Sequence, residues 1–261
     1  LTELVQKEIR KLKFRVFRFN GEGKGSYSSY TLDVKNGMTL LDALLKIKEN
    51  YDPSLTFRYS CRMGICGSCG VLANGKEKLA CKTQLSDYEK EVEIRPLNNM
   101  PIIRDLVVEF KPFLDKNKLV KPYIVRKDVD ENLNREFKQT PDELNEYLNF
   151  SNCIMCGLCY SACPTNATDL LYLGPQALTR AYRFIADSRD SGHIGRIMIV
   201  DRDHGVWNCH FAGSCSDVCP KGVDPAFAIQ QLKALALLKG SQLKNKIPSQ
   251  PVEKARDSVA T

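Results

Sequence analysis

Apolar positions along the chain divide it near residue 105 into a mixed half and a helical half. Between Lys11 and about Pro96 they alternate in short runs: KFRVFRF has the two-residue period of a strand, GEGKGS turns the chain, and YTLDV returns it as a hairpin. TLLDALLKIKENY then shifts to a helical period, with Leu40, Leu41, Leu44 and Leu45 on one stripe and Thr39 and Asp42 placed as a capping box. In GVLANGKEKLAC, Asn74-Gly75 sits between two short strands as a hairpin turn, and EVEIRP supplies a closing strand. Beyond residue 105 the helical period dominates. TPDELNEYL starts on Thr140 with Pro141 and Glu143 behind it, and GPQALTRAYRFIADSRD places apolar residues at 177, 178, 181, 184 and 185. DPAFAIQQLKALALLKG opens on Asp224-Pro225 and is expected to stop at Gly240. The pattern predicts an α+β unit over residues 1–105, an all-α unit over 106–240 and a polar, loosely held tail over 241–261.

Composition narrows the class. A chain of 261 residues that is 43% hydrophobic can bury two modest cores. Its net charge of +7 comes from scattered basic residues, so no nucleic-acid partner is expected. No apolar run approaches the length of a membrane span, and LTELVQKEIRK lacks a signal-peptide core, so a soluble or peripheral chain is expected. Eleven cysteines fall into tight clusters between 61 and 81, 153 and 163, and 209 and 219, a distribution that suits metal ligation in a reducing compartment better than a disulfide framework.

Cysteine spacing then identifies the chemistry. Cys61, Cys66 and Cys69 have the plant-type C-x4-C-x2-C spacing of a [2Fe-2S] loop, and Cys81 stands downstream as the fourth thiolate. Gly64, Gly67 and Gly70 are expected to take left-handed conformations that turn backbone N–H groups toward sulfur. A zinc knuckle is the competing reading; the four-residue gap and the lack of a nearby histidine disfavour it. CIMCGLCYSACP has the bacterial ferredoxin spacing C-x2-C-x2-C-x3-C-P, in which the fourth cysteine serves the other cluster. NCHFAGSCSDVCP repeats that frame with Ala212 in place of one cysteine. Cys153, Cys156, Cys159 and Cys219 are thereby assigned to a [4Fe-4S] cluster. Cys163, Cys209 and Cys215 are left for a [3Fe-4S] cluster, whose lower thiolate count raises its potential. A degraded site that has lost function is the alternative.

SCRMGICGSCG, CIMCGLCYSACP, LGPQALTRAYRFIADSRD and CHFAGSCSDVCPKGVDP together resemble the iron–sulfur subunit of succinate dehydrogenase and fumarate reductase, in order and up to about Gly240. The resemblance implies an N-terminal β-grasp [2Fe-2S] ferredoxin-like domain and a C-terminal helical ferredoxin-like domain. It also implies a flavoprotein partner that holds FAD and the dicarboxylate site, a membrane anchor subunit, and quinone bound between anchor and chain. The chain would then lie at the cytoplasmic face of a cell membrane or the matrix face of the mitochondrial inner membrane. GLCYSACP, GVWNC and VDPAFAIQQLK are similar to fumarate reductases, in which Lys233 matches a lysine near the quinol. His210 instead matches a histidine beside the quinone of succinate dehydrogenases, and Thr168 in PTNATD departs from the tryptophan usual there. Pro164, Thr165, His210 and Lys233 are the candidate quinone residues, and the direction of flux stays open. Two other readings are a fumarate reductase subunit served by a thiol or other soluble donor, and a zinc-stabilised binding module.

Overall fold

The chain is described by a computed structural model over residues 9–126 and 136–243, with side chains to Leu238. The N-terminal part contains β1 (Arg10–Arg18), β2 (Ser26–Val34), α1 (Leu40–Asn50), β3 (Gly70–Ala73), β4 (Lys76–Leu79), β5 (Glu91–Arg95), β6 (Ile102–Arg104), β7 (Val107–Val108) and α2 (Lys111–Leu119). Its five-stranded sheet has the order β2-β1-β5-β3-β4, with β5 parallel to β1 and the other neighbours antiparallel. Alternation along β1 buries Leu12, Phe14 and Val16 while Lys11, Lys13 and Arg15 face water. Those residues pack on Leu40, Leu41, Leu44 and Ile47 of α1, whose first turn is closed by both halves of the Thr39–Asp42 capping box. The turn between β3 and β4 has positive φ at Asn74 and Gly75, as a tight Asn-Gly hairpin requires.

The first core extends past residue 105, because Leu106, Val108 and Phe113 join it. Asp105 explains the continuity: its buried carboxylate accepts hydrogen bonds from Arg18 Nε at 3.0 Å, Phe19 N at 2.9 Å and Thr56 N at 2.8 Å. One side chain therefore ties the end of β1, the loop after α1 and the β6–β7 turn together.

The helical part contains α3 (Pro141–Asn145), α4 (Leu148–Ser151), α5 (Leu158–Ser161), α6 (Pro164–Thr168), α7 (Gly174–Ile185), α8 (His193–Val200), α9 (Ser214–Asp217) and α10 (Pro225–Leu243). TPDELNEYL is two short helices rather than one. The Thr140–Glu143 capping box forms, but Tyr147 breaks the run and buries its ring. Gly240 does not stop α10, which continues to Leu243; the rest of the expected tail lies outside the described residues. Ala177, Leu178 and Ala181 of α7 meet Ala228, Ile229 and Leu232 of α10 to form a second core. Arg196 of α8 is fully buried; it pairs with Asp190 at 2.5 Å and donates to the carbonyls of Val120, Lys121 and Tyr123, which fastens the segment after α2 to the helices.

The two parts meet through backbone. A Cβ built on Gly67 would lie 2.9 Å from Cys156 Cβ and 3.0 Å from Ile154 O, and one on Gly70 would lie 3.1 Å from Leu158 Cδ2. Around this contact, Ser161 Oγ donates to buried Glu77 and accepts from Asn98 N, both at 2.9 Å, while Asn99 Nδ2 reaches the carbonyls of Tyr160, Ser161 and Cys163. Gly67→Ala should therefore destabilise the protein by about 2–4 kcal/mol, through overpacking against backbone as well as the penalty at φ 74°. Gly222 has φ 64° but nothing within 4 Å of a built Cβ, so Gly222→Ala should cost about 1–2 kcal/mol. Thermal unfolding of the assembled protein checks the difference, and equal costs would remove the close approach as the reason for Gly67.

Candidate iron–sulfur sites

The first loop wraps one sulfur in backbone donors. Left-handed φ at Arg62 and Gly64 curls residues 61–66 so that Cys61 Sγ accepts N–H bonds from Met63 at 3.5 Å and from Ile65 and Cys66 at 3.3 Å. Those bonds, from Cys66 first and then Met63 and Ile65, pull the Cys61 thiol down to about 6. Cys69 is buried and its thiol is pushed up to about 12 by desolvation, although Cys81 N donates to its sulfur at 3.5 Å. Cys61 and Cys66 form the outer rim, while Cys69 and Cys81 form the inner wall. The loop tip presents Met63 and Ile65, which are among the exposed large apolar side chains. One expectation needs correcting: Gly70 does not have a left-handed φ, and its missing side chain serves close packing against Leu158.

Cys153, Cys156, Cys159 and Cys219 line a single cavity, together with Gln176 and Thr179 of α7 and the Pro220–Pro225 turn. Burial pushes the Cys153, Cys156 and Cys159 thiols up: Cys156 reaches about 11, and fully enclosed Cys159 rises well above the thiol range. The other thiolates of the set raise Cys156 and Cys159 further. Arg180 counters this for Cys153 by its positive charge, and its buried Nε has no hydrogen-bond partner among the described residues. An orphaned guanidinium N–H whose charge acts on Cys153 fits an anionic group held by this set, and the all-sulfur donor set fits iron–sulfur chemistry.

Cys163, Cys209 and Cys215 line a second cavity with Pro164, Thr165, His210 and Ala212, closed by Ala226 and Ile229 of α10. Burial and then the Cys163 and Cys209 thiolates push Cys215 up to about 11. The two loops share a backbone form. Met155 and Gly157 flank Cys156 with φ 53° and 80°, and Phe211 and Gly213 flank Ala212 with φ 56° and 77°. Ala212 thus occupies the place of Cys156 in an undistorted ligand loop, which argues against a site in decay.

Of the candidate quinone residues, Pro164 and His210 are exposed and Thr165 is buried, and these three share the cavity of Cys163. Lys233 is not part of its wall; its ammonium donates to Cys209 O at 2.9 Å. Motif spacing gave no sign of Tyr172, whose buried hydroxyl hydrogen-bonds Cys209 and is held protonated mainly by burial. It also missed Arg180 and the pair His204–Asp169, joined at 2.7 Å beside Asn208. A lone Tyr, Arg or Asp carries no spacing rule that could have found it.

A sequence model of the 2Fe-2S iron–sulfur cluster binding domain matches residues 13–121, and one of the 4Fe-4S dicluster domain matches residues 149–223. The fumarate reductase iron–sulfur subunit of Haemophilus influenzae is 46% identical over 234 residues, covering 85% of this chain and 91% of that protein. The fumarate reductase iron–sulfur subunit of Mycobacterium tuberculosis is 46% identical over 216 residues, covering 82% and 87%. The mitochondrial succinate dehydrogenase [ubiquinone] iron–sulfur subunit of Dictyostelium discoideum is 38% identical over 241 residues, covering 88% and 84%. In fold, the chain superposes on a chain of the Mycobacterium smegmatis Sdh1 complex in the apo form with a TM-score of 0.82 at 24% identity, covering 92% of this chain and 100% of that one. With two cluster domains in this order and relatives of such identity along most of its length, the chain belongs to the family of iron–sulfur subunits of fumarate reductase and succinate dehydrogenase.

Proposed function

We propose that this subunit holds [2Fe-2S] on Cys61, Cys66, Cys69 and Cys81, [4Fe-4S] on Cys153, Cys156, Cys159 and Cys219, and [3Fe-4S] on Cys163, Cys209 and Cys215. Through them it relays electrons between FAD in a flavoprotein subunit and a quinone at a membrane anchor. Bound clusters supply one-electron redox centres; the dicarboxylate chemistry belongs to the flavoprotein. The observation that carries the proposal is the succession of the sulfur sets. Gly67 of the first loop abuts Cys156 of the second set, and Cys159 and Cys163 are separated by one turn of α5. These two neighbour relations support a row of centres, with backbone, not bulky side chains, at the first junction.

Each end of the row has a surface suited to a partner. Met63 and Ile65 expose apolar surface beside the first loop, which suits a flavoprotein contact. At the other end Leu170, Leu171, Trp207 and Phe211 are exposed around the Cys163–Cys209 segment, which suits an anchor subunit. No helix among the described residues is long and apolar enough to cross a membrane, in keeping with attachment through a separate anchor. Flux can run in either direction along such a row, and relatives of both kinds are similar to this chain.

Two tests follow from this geometry. The purified complex should yield about nine irons per copy of this subunit and show the paramagnetic signal of an oxidised [3Fe-4S] centre. Ala212→Cys should raise the count to about ten and lower the potential of that centre; ten irons in the unaltered protein without the signal would refute the assignment. His210→Ala and Lys233→Ala should each lower quinone-linked turnover by roughly tenfold or more, the scale of a lost proton donor. Reduction of the clusters through the flavin should persist in both. Full quinone activity in both variants would leave the quinone site to the anchor alone.

A further inference from the structure

Transfer between clusters and quinone has a proton side that the sulfur sets do not address. Reducing one quinone to quinol consumes two electrons and two protons, and the protons must come from water. Close to the Cys163–Cys209 cavity, His204 Nδ1 meets Asp169 Oδ2 at 2.7 Å. A carboxylate only accepts hydrogen bonds, so Nδ1 carries the hydrogen and Nε2 is the nitrogen left for exchange. Asp169 is itself fixed. Its Oδ2 also accepts from Asn208 Nδ2 at 2.8 Å, and its Oδ1 accepts from Leu171 N at 2.9 Å. Burial pushes the Asp169 carboxyl up, but these bonds, from His204 and Asn208 above all, more than offset it and keep the group ionised. Asn208 precedes Cys209, and its carbonyl accepts the Thr165 hydroxyl at 3.2 Å. The pair is thus linked through Asn208 to Thr165 in the cavity wall.

Two further features mark the pair as more than a surface ion pair. His204 has φ 63°, a conformation that favours glycine, so the chain keeps an imidazole where its backbone is strained. The neighbouring side chains are apolar and outward: Leu170 is 73% exposed, Leu171 60% and Trp207 45%, while the His204 side chain is 42% exposed. A surface of that kind is suited to docking, and an ionisable pair inside it loses solvation without a compensating gain in binding.

We propose that His204, oriented by Asp169, is a proton-exchange group for the quinone reaction at this face. When protonated at both nitrogens, the imidazole passes the Nε2 proton to the reacting quinone oxygen as an electron arrives, keeps the Nδ1 hydrogen bonded to Asp169, and regains a proton at Nε2 from water. In quinol oxidation Nε2 takes the proton and returns it to water. Asp169 is a positioning residue that fixes the tautomer. The inference rests on the reading that quinone reacts beside Cys163, Cys209 and Cys215.

The test uses the assembled complex and two variants. His204→Gly suits the left-handed backbone and removes the ring; His204→Gln keeps a hydrogen bond to Asp169 but cannot exchange a proton at neutral pH. Both should lower quinone-linked turnover by about tenfold or more, with cluster reduction through the flavin retained. Imidazole in the buffer should restore much of the rate in His204→Gly and none in His204→Gln. The redox-difference infrared spectrum of the wild type should contain imidazole bands that His204→Gln lacks. Turnover within about twofold of wild type in both variants, or a loss that imidazole does not relieve with unchanged infrared bands, overturns the proposal. His210→Ala separates the two levels. If it impairs turnover while the His204 variants do not, only this inference fails; if none of the variants does, the quinone reacts elsewhere and the underlying reading fails with it.

Discussion

The loop of Cys66 and Cys69 can touch the loop of Cys153 and Cys156 only because no side chain stands between them. At Gly67 a single added carbon would fall 2.9 Å from Cys156 Cβ and 3.0 Å from two backbone atoms, so the contact tolerates no residue but glycine without a shift of the chain. Much of the interface is arranged to hold that approach. Leu158 and Tyr160 of the helical part are buried in the same core as Leu97, Met100 and Phe113. Glu77, Ser161, Asn98 and Asn99 satisfy one another and the free carbonyls of α5, so the polar groups at the junction are paired as they are buried. The sequence of sulfur sets depends on this packing, because a gap at the first junction would separate the N-terminal set from the other two.

Electrostatics differs from site to site in a way the burial pattern explains. Cys61 is partly open and surrounded by N–H donors, so its thiolate is favoured mainly by the backbone. The inner sulfurs of the helical part are desolvated and raise one another, so deprotonating them requires positive charge from the group they hold, with help from Arg180. Ala212 changes this balance in the third set by removing one thiolate from a loop that otherwise keeps the φ pattern of its counterpart.

Much of the design was legible from residue order. Strand alternation in β1, the capping boxes at Thr39 and Thr140 and the Asn74-Gly75 turn are signals within a few residues of one another, and each is present as expected. Signals over longer range were not legible. The role of Gly70 depends on Leu158, Tyr172 matters through Cys209, and Arg196 acts on carbonyls more than seventy residues away. Gly240 does not end α10, since the helix continues through it to Leu243. The His204–Asp169 pair spans 35 residues and carries no motif, so only the fold brings it together.

The close approach at Gly67 is tested most directly by magnetic coupling between the N-terminal [2Fe-2S] centre and the neighbouring centre on the Cys153 set. Pulsed paramagnetic resonance of the fully reduced complex should show the [2Fe-2S] signal broadened and relaxing fast through that neighbour, and slow again when only the [2Fe-2S] centre is reduced. A signal that is narrow and slow in both states would contradict the contact on which the rest of the relay depends.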